Sequence, residues 1–284
     1  MEKKKLLIGG KWVESAIAIE VRSPFNGKYL AEVCTAGADE IAMSLSFGIE
    51  AASRMRSLGR FQIASGLRKI AESLKARRDE FASCIAREAA KPISLARGEA
   101  ERAAATFAWA AGEAERFVGR VVPIDTQASG KGKLAWTTRV ARGLIYGITP
   151  FNFPLNLVAH KVAPALASGN AIIIKPSPRT PLTALLLGEV FLESGLPSAA
   201  LQVVPADIEF VDKIIADHRI AMISFTGSDK VGWELKKKAY RKQVALELGG
   251  NAPVIVDESA DLEKSITRTV TGAFAYSGQI CISV

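Results

Sequence analysis

The residues best suited to covalent chemistry lie close to the C-terminal end of the chain. Cys281 follows a Ser-Gly-Gln-Ile segment at 277–280, and a cysteine becomes a strong nucleophile once it loses its proton. Glu247 opens a Glu-Leu-Gly-Gly-Asn segment 34 residues upstream. Its neighbours are apolar, and a buried carboxylate is costly unless it is paired. Together the two residues predict a nucleophile with a general base, although a cysteine taken alone is more often a small buried apolar residue.

The sequence ends three residues after Cys281. A catalytic domain normally continues past its reactive thiol, because structure on both sides must hold the nucleophile and exclude water. We therefore expect the chain to be the front part of a longer enzyme. By itself this part should have little catalytic activity.

Length and composition are those of a globular protein: 284 residues, of which 49% are hydrophobic, suffice for a sizeable core. The basic start at 3–5 is followed by only three apolar residues, too few for a signal peptide. No apolar run approaches the roughly 20 residues that cross a bilayer. These features favour a cytoplasmic protein without a membrane partner.

Metal and nucleic-acid functions are disfavoured. The three cysteines, at positions 34, 84 and 281, and the two histidines form neither a ligand spacing nor a disulfide framework, and we expect no metal site. The net charge of +8 comes from Lys and Arg residues spread along predicted helices without interleaved aromatic residues, which is typical of solvated faces. We therefore expect no nucleic-acid partner.

The pattern of apolar residues divides the chain. Helical spacing from Asp39 to about Phe117 predicts three or four amphipathic helices. Residues 133–140 alternate as in a strand, which we place in a protruding hairpin whose edge could pair subunits. From Gly143 onward short apolar strands alternate with helices, which predicts a parallel sheet covered by helices on both faces.

Polar residues follow three of these predicted strands: Asn152, Lys175 and the pair Gly227-Ser228. Ligands of such sheets gather at the carboxyl ends of the strands, and the amides that begin the helix after Ser228 can bind a phosphate. Each residue also has a purely structural interpretation. Asn152 suits a turn, Lys175 a strand end that reaches water, and Ser228 a helix cap.

Five segments, taken together and in order, resemble the aldehyde dehydrogenase superfamily. They are Pro-Phe-Asn-Phe-Pro at 150–154, Lys-Pro-Ser at 175–177, Phe-Thr-Gly-Ser at 225–228, Glu-Leu-Gly-Gly at 247–250 and Gly-Gln-Ile-Cys at 278–281. The resemblance implies NAD(P)-dependent oxidation of an aldehyde to a carboxylic acid. It covers nearly the whole chain, but only the cofactor domain and the start of the catalytic domain of such an enzyme.

The resemblance also implies roles for the catalytic residues. Cys281 matches the nucleophile that forms a thiohemiacetal and then a thioester, and Glu247 matches the general base, acting on Cys281 or on the hydrolytic water. Asn152 matches the residue whose side-chain amide, with the backbone amide of Cys281, stabilises the oxyanion. The implied dinucleotide site consists of Ile148, Thr149, Pro150, Phe151, Lys175, Ser177, Pro178, Arg179, Gly227, Ser228, Gly232, Leu248 and Gly249.

One position departs from the family in a way that bears on the cofactor. Many NAD-preferring relatives place a glutamate three residues after the ribose-binding lysine, where it repels a 2′-phosphate; here the residue is Pro178. We therefore predict that the cofactor is NADP or NAD, with NADP used at least as well. Arg179 either assists a 2′-phosphate or points to solvent.

The implied fold is a Rossmann-like parallel sheet with a preceding helical layer, a protruding hairpin and the start of a second α/β domain. We assign 1–120 and 142–249 to the dinucleotide-binding domain, 121–141 to an oligomerisation hairpin and 250–284 to the beginning of the catalytic domain. The expected partners are a small-molecule aldehyde and further copies of the chain, as a homo-oligomer. Local segments resemble branches acting on lactaldehyde, semialdehydes or glyceraldehyde 3-phosphate.

Two other functions remain open at this point. The chain could be a short product that binds a dinucleotide without catalysis, because the phosphate and ribose segments are intact. It could also be a fragment that only associates with partners through its hairpin and uncovered surfaces. We favour the enzyme, because Asn152, Glu247 and Cys281 occur together.

Overall fold

We describe a computed structural model of residues 3–239 and 241–284. The N-terminal segment forms strands that the sequence pattern did not predict. A small sheet has the order β1-β5-β4, while β2 and β3 form a hairpin that joins the main sheet. The strands are β1 (Lys3–Lys4), β2 (Leu6–Ile8), β3 (Lys11–Val13), β4 (Ile17–Arg22) and β5 (Tyr29–Thr35).

A helical layer follows these strands. Its fourth helix carries small and apolar residues on its inner face, where Ala100, Ala103 and Phe107 are fully buried. Rows of alanine allow two helix backbones to approach closely, and the second and fourth helices are also joined by an ion pair between Arg68 and Glu115 at 2.6 Å. The helices are α1 (Ala38–Ser57), α2 (Arg60–Ala76), α3 (Arg78–Ala89) and α4 (Ile93–Glu115).

The segment after α4 contains a much shorter hairpin than the alternating pattern predicted. The strand expected over 133–140 is wrong in length, because only β7 (Ala135–Trp136) forms, paired with β6 (Val121–Val122). Exposed side chains account for the difference: Leu134, Trp136 and Val140 are each at least 70% exposed, so the alternation has no core to face.

The second half has the predicted strand and helix alternation. Every residue of the strands at 144–148 and 171–175 is buried, as expected for parallel strands covered on both faces. The elements are β8 (Leu144–Ile148), α5 (Asn156–Ala167), β9 (Ala171–Lys175), α6 (Leu182–Leu192), β10 (Leu201–Val203), α7 (Ile208–Ala216), β11 (Ile220–Gly227), α8 (Asp229–Lys238) and β12 (Gln243–Leu248).

The main sheet has the order β12-β11-β8-β9-β10-β2-β3. Its first five strands are parallel, and the β2–β3 hairpin adds two antiparallel strands beside β10. From β8 the chain builds outward to β10 and then returns to place β11 on the other side of β8. The boundary between β8 and β11 is therefore the point where the strand order reverses, which is where such sheets bind ligands.

The chain ends in a segment with little burial of its own. Helix α9 (Leu262–Phe274) begins at Asp261, whose side chain accepts a hydrogen bond from the Lys264 amide, and it buries none of its residues. A 3₁₀ turn at Ala275–Gly278 leads to Cys281. Within residues 3–239 and 241–284, no helix combines the length and the apolar character that crossing a membrane requires.

Candidate active site

The ends of four parallel strands meet along one edge of the sheet. Ile148 is paired with Lys175 on one side and with Phe225 on the other, and Gly227 is paired with Leu248. The hydrogen bonds continue just past the strands, from the Thr149 amide to the Lys175 carbonyl at 3.1 Å and from the Gly249 amide to the Gly227 carbonyl at 3.2 Å. The residues singled out at the strand ends therefore lie in one row.

Asn152 contacts the segment that carries the cysteine. It lies in the turn between β8 and α5, and its side-chain Nδ2 donates a hydrogen bond to the backbone carbonyl of Gln279 at 2.8 Å. Cys281 is two residues further along, which limits its separation from Gln279 to about 7 Å between Cα atoms. Asn152 and Cys281 are thus brought into the same part of the molecule.

The backbone before Cys281 is strained. Tyr276 and Ser277 have φ values of 51° and 55°, and Gly278 has a φ of 69°; residues other than glycine rarely adopt this left-handed conformation, and such strain clusters at functional sites. The Tyr276 hydroxyl donates to the Ala89 carbonyl at 2.8 Å, and the Ser283 hydroxyl donates to the Gly272 carbonyl at 3.0 Å. These bonds fix the turn from both sides, while the Cys281 side chain is exposed.

Glu247 lies in a different setting from the one its apolar neighbours suggested. It is exposed, because β12 is the edge strand of the sheet, so its apolar sequence neighbours do not enclose it. No hydrogen bond joins Glu247 to Cys281 in the part of the chain that the structure describes. Glu247 is instead paired, across the strands, with Thr226.

Lys161 is a charged residue of this region that the sequence analysis missed. It projects from α5 and donates to the hydroxyls of Ser224 at 3.1 Å and Thr226 at 2.8 Å. Burial lowers the pKa of Lys161 to about 8, opposed by the charge of Glu247. The available signal was a lysine beside His160 in a run, 158–167, whose other residues are all apolar.

Two further residues surround the Asn152 turn and were also missed. The Lys91 ammonium donates to the Asn152 carbonyl at 2.6 Å and pairs with Glu99 at 2.5 Å. Glu99 in turn accepts from the amides of Leu155 at 2.9 Å and Asn156 at 3.1 Å. In the sequence, Lys91 is one of many basic residues in the predicted helical region and differs only in preceding a proline.

Several polar groups at the strand ends suit a dinucleotide. Lys175 is 8% exposed, and burial lowers its pKa while the charge of Asp207 opposes the shift. The hydroxyls of Thr149 and Thr180 are buried without a hydrogen-bond partner. Ser228 is the N-cap of α8, but its side chain makes no capping bond, so its hydroxyl and the first-turn amides can meet a phosphate. The donors thus fit a nucleotide ligand.

The loop after β9 adds a cleft of about 790 Å³, lined in part by Phe151, Pro178 and Arg179. The Arg179 guanidinium rests on the Phe151 ring at 5.4 Å, and the Ser177 hydroxyl accepts from the Arg179 amide at 3.2 Å.

Gly232, also expected near the cofactor, has a packing reason to be glycine, because an added Cβ would lie 2.4 Å from the Leu248 side chain. It lets α8 lie close to β12.

Taken as a whole, the parallel sheet with its reversal of strand order and its row of polar strand ends defines a Rossmann-like α/β protein. A family model described as the aldehyde dehydrogenase family matches residues 12–284. The chain belongs to this family.

Among the described residues, no group of three or more His, Cys, Asp or Glu residues could hold a metal ion.

Individual relatives and solved structures agree with this assignment. A 3-sulfolactaldehyde dehydrogenase of Priestia megaterium is 38% identical over 281 residues, covering 98% of this chain and 58% of that protein. An NADP-dependent glyceraldehyde-3-phosphate dehydrogenase from Bacillus halodurans, solved with NADP, superposes with a TM-score of 0.96 at 32% identity, over 100% of this chain and 60% of its own.

An NAD-dependent aldehyde dehydrogenase from Sinorhizobium meliloti superposes with a TM-score of 0.93 at 31% identity, over 99% of this chain and 57% of its own. The chain therefore spans 57% to 60% of the length of these three proteins.

Proposed function

We propose that the chain takes part in NAD(P)-dependent oxidation of an aldehyde to a carboxylic acid, with Cys281 as the nucleophile. The observation that carries the proposal is the hydrogen bond from the Asn152 side chain to the Gln279 carbonyl at 2.8 Å. It brings a polarising amide to the segment of the reactive thiol, and family membership over residues 12–284 supplies the reaction class.

Asn152 is suited to stabilise negative charge. Its side-chain amide has two N–H donors, and one of them is held by Gln279. The second remains for the oxyanion that forms when the Cys281 thiolate attacks the aldehyde carbonyl, with the Cys281 backbone amide as the other donor. One donor of this kind is worth about 3 kcal/mol of transition-state stabilisation.

Glu247 is the proposed base for hydrolysis of the thioester. Its exposure at the edge strand gives it access to water, and a carboxylate within reach of water can accept a proton from it. Lys161, from helix α5, donates to the hydroxyl of Thr226, and Thr226 is the residue paired with Glu247 across the two strands.

The residues proposed to hold NADP or NAD are those at the strand ends. Lys175 and Ser177 would meet the adenosine ribose, and Ser228 with the start of α8 would meet the pyrophosphate. A bound dinucleotide supplies the hydride acceptor that oxidation of the aldehyde requires. Pro178 places no carboxylate where a 2′-phosphate would lie, which supports use of NADP at least as well as NAD.

The substrate class we propose is a small polar aldehyde, such as a hydroxyaldehyde or a semialdehyde. Support comes from the 3-sulfolactaldehyde and glyceraldehyde-3-phosphate specificities in the names of two relatives.

We also propose a homo-oligomer that pairs through the hairpin at 121–141, where Val121 is 83% exposed and Trp136 is 70% exposed.

The proposal is tested with Cys281→Ala in the full-length protein. Turnover of a small aldehyde with NADP should disappear, while dinucleotide binding measured by fluorescence titration stays within about twofold. Retained turnover would refute it. If the full-length protein without the substitution binds the dinucleotide but oxidises no aldehyde, the alternative function is favoured, which is a dinucleotide-binding module without catalysis. The exposure of the Cys281 side chain is the observation in favour of this alternative.

A further inference from the structure

A buried ion pair lies beneath the proposed oxyanion site. The side chains of Lys91 and Glu99 are each only 1% exposed, and their charged atoms are 2.5 Å apart. Burying two charges costs free energy unless their geometry and remaining hydrogen bonds compensate. The other contacts of this pair therefore indicate what it holds in place.

One set of contacts fixes the turn that carries Asn152. The Lys91 ammonium donates to the Asn152 carbonyl at 2.6 Å. The second carboxylate oxygen of Glu99 accepts from the amides of Leu155 and Asn156, which belong to the start of α5. The pair thus binds the Asn152 backbone and the first turn of the following helix at once.

A second set of contacts reaches the segment before Cys281. The Lys91 ammonium lies 3.6 Å from the centre of the Phe153 ring and 4.6 Å from that of Tyr276, distances at which a cation is attracted by a ring face. The two rings meet edge to face at 6.4 Å. Tyr276 is also tied by its hydroxyl to the Ala89 carbonyl, only two residues before Lys91.

We infer that Lys91 and Glu99 form a positioning pair, which holds the Asn152 amide and the Tyr276–Cys281 segment in the mutual arrangement that stabilises the oxyanion. This inference rests on the proposed function. Lys91 binds the Asn152 carbonyl rather than a reacting atom, so it acts through Asn152 and not on the substrate. The strained backbone at Tyr276 and Ser277 requires such support, because a left-handed conformation persists only where its surroundings hold it.

The test variant removes both charges of the pair but keeps the hydrogen bonds from residue 99 to the start of α5. Lys91→Met alone leaves Glu99 buried without its partner and so endangers folding. Combining it with Glu99→Gln yields a neutral pair in which the glutamine oxygen still accepts from the amides of Leu155 and Asn156. What is lost is the bond to Asn152 and the cation between the two rings.

In the full-length protein, this double variant should lower kcat about 10- to 100-fold, less than the roughly 10²- to 10³-fold that follows complete loss of an oxyanion donor. The dinucleotide Kd should change less than about twofold. In an Asn152→Ala background the same double variant should have almost no further effect on kcat/KM, because residues that act through one group are not additive.

The matched control is Gln202→Leu. Gln202 is also fully buried, and it bridges the Gly9 amide and the Ser44 carbonyl, away from Asn152. This variant should lower the melting temperature but leave kcat unchanged. A fall in kcat equal to that of the double variant would overturn the inference, since any loss of core bonding would then suffice.

Hydrogen exchange supplies a readout that does not depend on activity. In the Lys91→Met/Glu99→Gln variant, exchange should accelerate in peptides covering 152–154 and 276–281, and Gln202→Leu should leave both unchanged. Wild-type exchange in both peptides together with wild-type kcat would overturn the inference. A parent protein that oxidises no aldehyde but shows the predicted exchange would contradict the proposed function and still support the positioning of the two segments.

Discussion

The side-chain amide of Asn152 and the backbone carbonyl of Gln279 are joined at 2.8 Å, although 127 residues separate them in the sequence. One belongs to the turn after the central strand β8 and the other to the strained turn before Cys281. The contact links the strand-end row, where we propose that a dinucleotide binds, to the segment of the proposed nucleophile. The proposed oxyanion site is built across it.

Asn152→Ala should reduce kcat/KM of the full-length enzyme about 10²- to 10³-fold, because one oxyanion donor is removed. Dinucleotide affinity should change little, since Lys175 and Ser228, the residues proposed to meet the ribose and the pyrophosphate, belong to other strand ends. Steady-state kinetics and a binding titration check the two parts separately. A loss of dinucleotide binding equal to the loss of activity would show that Asn152 serves the fold of the site instead.

Pro178→Glu should shift the cofactor preference toward NAD. A carboxylate at this position would repel a 2′-phosphate and accept a hydrogen bond from a ribose hydroxyl, so NADP should bind about 10-fold or more weakly relative to NAD. Fluorescence titration with both dinucleotides measures the ratio. Arg179→Ala is the companion variant: weaker NADP binding would assign the guanidinium to the phosphate, and an unchanged ratio would leave it on the Phe151 ring.

Lys161 should make stability depend on pH in a defined direction. Its pKa is lowered by burial to about 8 from an ordinary 10.5, so between these values the unfolded chain holds a proton that the folded protein has released. Stability should therefore rise with pH across this window, by up to about 3 kcal/mol.

The comparison is with Lys161→Met, which has no such group. The difference in unfolding free energy between the wild-type protein and this variant, taken from urea melts at pH 7, 8, 9 and 10, isolates the contribution of Lys161. The unfolding free energy of the wild-type protein should increase relative to that of the variant as pH rises. A constant difference would contradict the lowered pKa.

Trp136→Glu should weaken the proposed homo-oligomer. The tryptophan lies in the hairpin strand β7 and is 70% exposed, and a charge in an apolar interface is costly to bury. Light scattering after size exclusion should show a smaller assembly. Phe25→Glu is the control, since Phe25 is 83% exposed and lies outside the hairpin; dissociation by both variants would argue against a specific hairpin contact.

The sequence predicted the parallel sheet well, because strands such as β8 and β9 are continuous apolar runs bounded by turn residues. It did not predict β2, which has only three residues, too few to display a period; β2 forms because it pairs with β10, nearly two hundred residues away. The exposure of Glu247 could not be predicted for a related reason, since the place of β12 at the sheet edge is a property of the whole topology.

The Lys91–Glu99 pair shows the same limit at the site. Each residue alone is an ordinary charged residue of a helical region, and only the folded chain brings both beneath Asn152. By contrast, the common location of Asn152, Lys175 and Ser228 could be predicted, because the carboxyl ends of parallel strands and the turns that follow them lie at one edge of a sheet.

The central claim is that Cys281 carries the acyl group, and the most direct measurement is mass spectrometry of the acid-quenched full-length enzyme. Glu247→Gln should slow hydrolysis of the thioester, so incubation with NADP and a small aldehyde should leave an acyl adduct on the peptide containing Cys281. The account predicts this adduct, and its loss in Glu247→Gln/Cys281→Ala. An adduct on another residue, or full turnover by Cys281→Ala, would contradict it.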